Sequence, residues 1–202
     1  MTFAYERGSR FWDTSDIYFD CGGHFIPFKP IVNLTFLSKA QKLIGNWLAK
    51  NPSKRSHITL CTKIGFNRQP TDDFFSGPCS DPSYIPIALE SALSQLQTSY
   101  IDVLYQHRVD PKVPIEVVLE ALRPAVESGK VKYLGLSECH ADTLRRARAV
   151  QGVGEKVVVV QMEYSPFTVD VEKNGGIADV CEELGVSLVA YSPLGRGMVS
   201  GR

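Results

Sequence analysis

The chain has 202 residues, 44% of them hydrophobic and 10% aromatic, with 22 Lys+Arg balanced by 22 Asp+Glu. A chain of this length buries roughly 70% of the surface its unfolded form exposes, so it builds a core without disulfides or metal, and a disordered tail is excluded. Zero net charge and the absence of a basic stripe argue against a nucleic-acid partner. The cysteines Cys21, Cys61, Cys79, Cys139 and Cys181 are scattered and form no CxxC pair, which speaks for a reducing compartment rather than a disulfide framework or zinc ribbon. No run approaches the roughly 20 apolar residues of a membrane span, and charge comes too early for a signal peptide, so a cytoplasmic protein is expected.

In chain order, a short helix is predicted near Phe3 and Glu6, then a strand over residues 11–14. Ala40, Leu43, Ile44, Trp47 and Leu48 form a helical stripe before a second strand at 58–63. Ile85, Leu89, Ala92, Leu93 and Leu96 mark the next helix, followed by a strand at 101–105. Ile115, Val118, Leu119, Leu122 and Val126 mark a third, with Pro114 suited to its first turn and Pro124 expected to kink it. Strands follow at 131–137, 157–161 and 186–191, with Gly129 and Gly185 at helix ends.

Most of the six runs are near-continuous in Val, Ile and Leu, as strands buried on both faces of a parallel sheet are. Strands alternating with helices mean an α/β protein, either an open doubly wound sheet or a (β/α)8 TIM barrel. No GxGxxG or Walker motif opens the chain, and Gly152-Val153-Gly154 precedes a strand instead of following one. The barrel is therefore expected. It would be incomplete, since a whole barrel has eight strands and about 250 residues.

Every strand ends on a polar residue: Asp13, Lys63, His107, Ser137, Gln161, and Tyr191 with Ser192. In parallel α/β folds that rim is where ligands bind. A partly buried Lys63 needs a counter-ion, and Asp13 on the neighbouring strand is the nearest candidate. An ammonium beside a phenol favours phenolate, which makes Tyr18 a proton donor. His107 can orient a carbonyl oxygen next to the same phenol. A carbonyl that takes a proton on oxygen needs hydride on carbon. Ser137 and Gln161 offer polar groups for an amide, and Tyr191 offers a flat face suited to a nicotinamide ring. His24, His57 and His140 read as surface or capping residues, Trp12 and Trp47 as packing residues, and Arg145, Arg146 and Arg148 as a solvated face. Cys139-His140 has no partners at metal spacing, so no metal site is expected.

The strings Asp13-Thr14-Ser15-Asp16-Ile17-Tyr18, Thr62-Lys63, Gln106-His107-Arg108-Val109-Asp110-Pro111, Gly135-Leu136-Ser137-Glu138, Gln161-Met162-Glu163-Tyr164-Ser165 and Tyr191-Ser192-Pro193-Leu194-Gly195-Arg196-Gly197 together resemble the aldo-keto reductases. The stretch from Tyr105 to Pro111 is most similar to the pyridoxal reductase-like and aryl-aldehyde-reducing branch. The resemblance implies a TIM barrel that binds NADPH without a Rossmann domain and reduces aldehydes or ketones, small-molecule carbonyl substrates, to alcohols. It implies Tyr18 as proton donor, Lys63 and Asp13 as the pair that acidifies it, and His107 as the carbonyl-orienting residue. Ser137 and Gln161 correspond to carboxamide contacts and Tyr191 to the stacking ring. Ser192, Leu194, Arg196 and Gly197 correspond to the loop along the cofactor pyrophosphate. Glu138 stands where many members have asparagine.

Three departures from the family pattern are expected to matter. The chain opens at the helix before the family's second strand, and it stops before the eighth strand and the helix that holds the adenosine 2′-phosphate. Residues 1–202 are expected to form a single domain with an atypical insertion at about 19–38, apolar and aperiodic, of the kind a translated intron would supply. The family also includes potassium-channel β subunits, so a catalytically impaired or regulatory cofactor-binding remnant is the alternative to an NADP-dependent reductase.

Overall fold

A computed structural model describes residues 1–18, 39–66 and 77–200; the expected insertion at 19–38, with Cys21 and His24, lies outside the described residues. Helix α1 (Thr2–Glu6) precedes β1 (Phe11–Asp13), and α2 (Lys39–Lys50) leads to β2 (Thr59–Ile64). Then come α3 (Tyr84–Leu96), β3 (Ile101–Gln106), α4 (Ile115–Glu127), β4 (Val131–Ser137), α5 (Ala141–Arg148), β5 (Val157–Glu163), α6 (Ile177–Leu184) and β6 (Ser187–Tyr191).

The strands form one parallel sheet in the order β1-β2-β3-β4-β5-β6. That order separates the two candidate folds. A doubly wound sheet reverses its strand order at a switch point. Here each strand pairs with its successor, and right-handed crossovers then put every helix on the same face. A side-chain bond proves that the other face is concave. Gln161 on β5 donates from Nε2 to Asp13 Oδ2 on β1 at 3.0 Å. Four interstrand spacings of about 4.8 Å would hold these strands about 19 Å apart in a flat sheet. The fold is thus a curled six-stranded part of a (β/α)8 barrel, as expected.

The main core lies between sheet and helices, where Leu60, Leu104, Leu134, Leu136 and Val160 meet Leu89, Leu96, Val118, Leu119, Leu144 and Val180. A smaller cluster of Cys61, Val103, Tyr105 and Val159 fills the concave face. Trp12 and Trp47 pack edge to face at 4.8 Å, as packing residues do. The stripe on α2 differs from the expected one. Leu43 is 61% exposed, while Gln41, Gly45 and Leu48 are buried. Gln41 Nε2 donates to Thr62 Oγ1 at 2.8 Å, so a hydrogen bond carries an amide into the position an apolar count would give to leucine. Helix α4 runs through Pro124 to Glu127, with Pro114 as its N-cap.

Two contacts hold the sheet in shape. Gly135 on β4 sits beside Tyr105 on β3; a Cβ there would overlap the Tyr105 ring and come 2.9 Å from Val159 Cγ1. Only hydrogen leaves room for that ring inside the curl. At the amino-terminal end of β3, Asp102 accepts from Arg55 at 2.8 Å, Lys132 at 2.8 Å and the Leu60 N–H at 3.0 Å. Burial alone would raise this carboxyl, but the Lys132 ammonium, the Leu60 N–H and the Arg55 guanidinium together hold it below its ordinary 3.8.

Gly135→Ala is expected to lower stability by about 1–3 kcal/mol in urea unfolding, because the added methyl must displace the Tyr105 ring. Asp102→Asn is expected to cost about 1–3 kcal/mol at neutral pH. The folded carboxyl titrates below its unfolded value, so its contribution is complete above pH 3.8 and fades as the pH falls through the folded value. Acid unfolding curves of the parent and variant chains should converge there.

Candidate active site

Strand geometry brings one residue from each strand end to the concave rim. Asp13 is in register with Cys61, Lys63 with Tyr105, Ser137 with Gln161, and Glu163 with Tyr191. His107 follows β3 directly, its N–H donating to Ile64 O at 2.8 Å.

The Lys63 side chain is 1% exposed. An isolated ammonium at such a depth would cost several kcal/mol. Nζ instead donates to Asp13 Oδ2 at 2.6 Å and to Thr14 O at 3.1 Å. Asp13 Oδ2 also receives the Gln161 amide, so one carboxylate oxygen ties β1, β2 and β5 together. Beyond β1 the chain follows β2 for three more residues, with Thr14 N donating to Cys61 O at 3.0 Å and Asp16 N to Lys63 O at 3.1 Å. It then turns, Tyr18 N donating to Ser15 O at 3.4 Å. This turn brings the Tyr18 ring over the site, 39% exposed, with Lys63 Nζ 4.9 Å from its centroid.

His107 is buried and stands edge-on to Tyr18, ring centroids 5.9 Å apart at 86°. Phe66 also stands edge-on to it, ring centroids 5.1 Å apart. Its Nδ1 is 3.0 Å from Ser15 Oγ and 3.8 Å from Asp16 Oδ1. A buried polar network braces the loop behind it: Gln106 Nε2 donates to Ser80 Oγ at 2.7 Å, and Ser80 N donates to Asp110 Oδ2 at 2.9 Å. Asp13, Tyr18, Lys63, His107 and Gln161 thus form one cluster.

A second group lies over β4 to β6. Arg108 donates to Ser137 Oγ at 3.1 Å and to His107 O at 2.7 Å, joining the two groups. Glu138 Oε1 accepts from Glu163 N at 2.8 Å. The half-buried Tyr191 donates to Glu163 Oε2 at 3.5 Å; burial first, then hydrogen bonding to Glu138 and the charges of Glu138 and Glu163, push its phenol up to about 12. The Arg196 guanidinium, 77% exposed, lies 3.6 Å from Glu163 Oε1. After β6 the chain coils tightly, with positive φ at Ser192, Gly195, Arg196 and Gly197. Gly195 N donates to Ser192 O and Gly197 N to Leu194 O, so Ser192, Leu194 and Gly197 shape this coil with backbone bonds.

Sequence reasoning passed over four contributors: Ser15 and Asp16, which face His107, and Arg108 and Glu163. Ser15 and Asp16 stand inside the same hexapeptide as Asp13 and Tyr18. Glu163 lies two residues beyond Gln161, which in a strand means the same face. Among the described residues no group of three or more His, Cys, Asp or Glu gathers as metal ligands do. Burial pushes the Cys61 and Cys139 thiols up, which suits packing rather than nucleophilic chemistry.

Over residues 1–202 the sequence matches the Aldo/keto reductase family. It is 40% identical over 200 residues to aldo-keto reductase str7 of Strobilurus tenacellus, covering 98% of this chain and 50% of that protein. It is 37% identical over 202 residues to aldo-keto reductase yakc of Schizosaccharomyces pombe, whose name carries NADP(+), covering 100% of this chain and 53% of that one. The chain spans about half the length of the curated relatives it matches. Among solved structures, the holo form of aldo-keto reductase AKR11C1 from Bacillus halodurans superposes with a TM-score of 0.75 at 25% identity, covering 98% of this chain and 57% of that one. With the family matched over residues 1–202, the chain belongs to the aldo/keto reductase family.

Proposed function

We propose that the protein reduces aldehydes or ketones to alcohols with NADP(H), Tyr18 giving the proton. The observation that carries this reading is the buried Lys63–Asp13 pair, with the ammonium 4.9 Å from the Tyr18 ring and His107 edge-on to that ring. An ammonium fixed in a low-dielectric site stabilises the phenolate left when Tyr18 gives up its proton. The Asp13 carboxylate holds the Lys63 amine in place there at 2.6 Å. The buried imidazole of His107 orients the substrate oxygen next to the phenol.

The residues of the second group fit a nicotinamide dinucleotide. Tyr191 stands half-buried at the end of β6, Ser137 and Gln161 pair in register on β4 and β5, and the exposed Arg196 cation stands on a tight coil suited to phosphate. When bound there, NADPH supplies the hydride to the carbonyl carbon. Arg196 would hold a phosphate, Tyr191 would stack, and Ser137 and Gln161 would meet the carboxamide.

Loss of NADPH absorbance with a panel of aromatic aldehydes tests this reading. The unaltered chain is expected to turn over, and Tyr18→Phe to lose about 10²- to 10⁴-fold in kcat while NADPH affinity, read by its fluorescence, stays within about twofold. Cofactor binding without turnover would favour the non-catalytic alternative. Neither binding nor turnover would overturn both.

A further inference from the structure

Arg108 brings a cation to the rim for which the catalytic reading has no task. It follows His107 directly, is half-buried, and donates from Nη1 to His107 O at 2.7 Å and to Ser137 Oγ at 3.1 Å. The Ser137 contact fixes where the head group lies. Ser137 is in register with Gln161, so the two side chains leave the sheet on one face, and Gln161 reaches Asp13 across the concave side. The guanidinium is therefore held at the concave rim, beside the histidine and close enough to Tyr191 for its charge to act on the phenol.

A guanidinium has five N–H donors in one plane. Nη1 is spent on the two anchors, whereas Nε and Nη2, which together make the side-on fork, have no hydrogen-bond partner among the described residues. No carboxylate among those residues lies within ion-pair distance of Arg108. Elsewhere in the chain the same fork is closed. Arg123 holds Glu120 through Nε and Nη2, both at 2.7 Å, and Arg146 holds Glu116 through the same two atoms at 2.8 and 2.7 Å. The acids around Tyr191 are engaged with other groups: Glu138 accepts from Glu163 N, and Glu163 faces Tyr191 and Arg196. A cation partly withdrawn from water without a counter-ion costs free energy, and a planar anion with two oxygens is what an open fork fits.

We propose that Arg108 is a specificity-determining residue whose open fork binds a carboxylate of the substrate, so that the carbonyl compounds suited to this site are oxo acids, aldehydes or ketones that also bear a carboxylate. The proposal deepens the reductase reading and rests on it for the carbonyl end of the substrate. His107 and Tyr18 meet the reacting oxygen, and the adjoining Arg108 meets the acid. The cofactor has less call on the fork, since its carboxamide is neutral and Arg196 already offers its phosphates a cation.

The test compares carboxybenzaldehydes with the matching formylbenzamides, which are of nearly equal size but uncharged. In the unaltered chain kcat/KM for the acids is expected to exceed that for the amides by about tenfold to a hundredfold, and Arg108→Gln should bring the ratio to about one. Arg108→Lys, which keeps the charge without the fork, should retain only part of the preference. Saturation-transfer NMR without cofactor supplies a second readout: the unaltered chain should bind hydroxymethylbenzoate about tenfold or more tightly than hydroxymethylbenzamide. An unaltered chain that treats acid and amide alike overturns the proposal, as does a preference that survives Arg108→Gln. If Arg108→Gln does not fold, the unaltered chain and Arg108→Lys decide. Acid binding that is lost in Arg108→Gln, with no turnover in the unaltered chain, sinks the proposed function alone, and turnover of acid and amide with equal kcat/KM sinks this inference alone.

Discussion

The Asp13–Lys63 ion pair is the contact on which the rest of the site depends. Strand β1 is only three residues long, so its ladder to β2 is short. Lys63 adds side-chain bonds to that ladder. Its ammonium binds both the last side chain of β1 and the carbonyl of Thr14 just beyond it, so the start of the turn to Tyr18 is fastened to β2. The pair also explains the curl of the sheet at its polar rim, since Gln161 reaches the same carboxylate oxygen from four strands away. A buried ion pair of this kind is weak evidence for stability, because desolvation offsets much of its Coulomb energy. Its value here is positional: an apolar pair of equal volume could pack as well but could not hold a charge beneath a phenol.

The two ends of the sheet divide their tasks. At the amino-terminal end, Asp102 collects Arg55, Lys132 and the Leu60 N–H, and the Tyr100 ring lies 3.8 Å from Arg55 and 4.1 Å from Lys132. Both oxygens of Asp102 are engaged, which is how a structural node looks. The carboxyl-terminal end is different. Thr14 Oγ1, Asp16 Oδ2 and Gln106 Oε1 are buried without hydrogen-bond partners among the described residues. Polar groups left in that condition cost free energy and are uncommon in folded chains.

Much of this was legible from residue order. Near-continuous apolar runs such as 157–161 in β5 announce a strand covered on both faces, and the polar residue closing each run announces the rim. The strand positions need no tertiary information because each run is longer than the uncertainty in its ends. Choosing between a barrel and an open sheet does need it, since strand order is a property of pairing and not of any single segment. The misread stripe on α2 has the same origin. Apolar periodicity places Leu43 inward, but the buried Gln41 gains a hydrogen bond to Thr62 that only the folded neighbour provides. Ser15 and Asp16 were hidden for a related reason: within their hexapeptide they look like turn residues, and only the arrival of His107 from a strand 92 positions away gives them a role.

Glu138 shows how strain and bonding combine at the rim. Its φ of 55° lies in the left-handed region, where a residue other than glycine, asparagine or aspartate pays about 1 kcal/mol or more. An asparagine would suit that backbone better. Yet the Glu138 N–H still donates to Gln161 O, extending the β4–β5 ladder by one residue, and the left-handed turn then removes its backbone from the line of the strand. The N–H of Glu163 would lose its acceptor at that point. The Glu138 carboxylate replaces it at 2.8 Å, a span that the extra methylene of glutamate makes possible. The strain is therefore offset by a charge-assisted bond, and a side effect is a second carboxylate beside Tyr191. The Arg108 charge opposes those two acids in part, but burial and the acids prevail and push the Tyr191 phenol up.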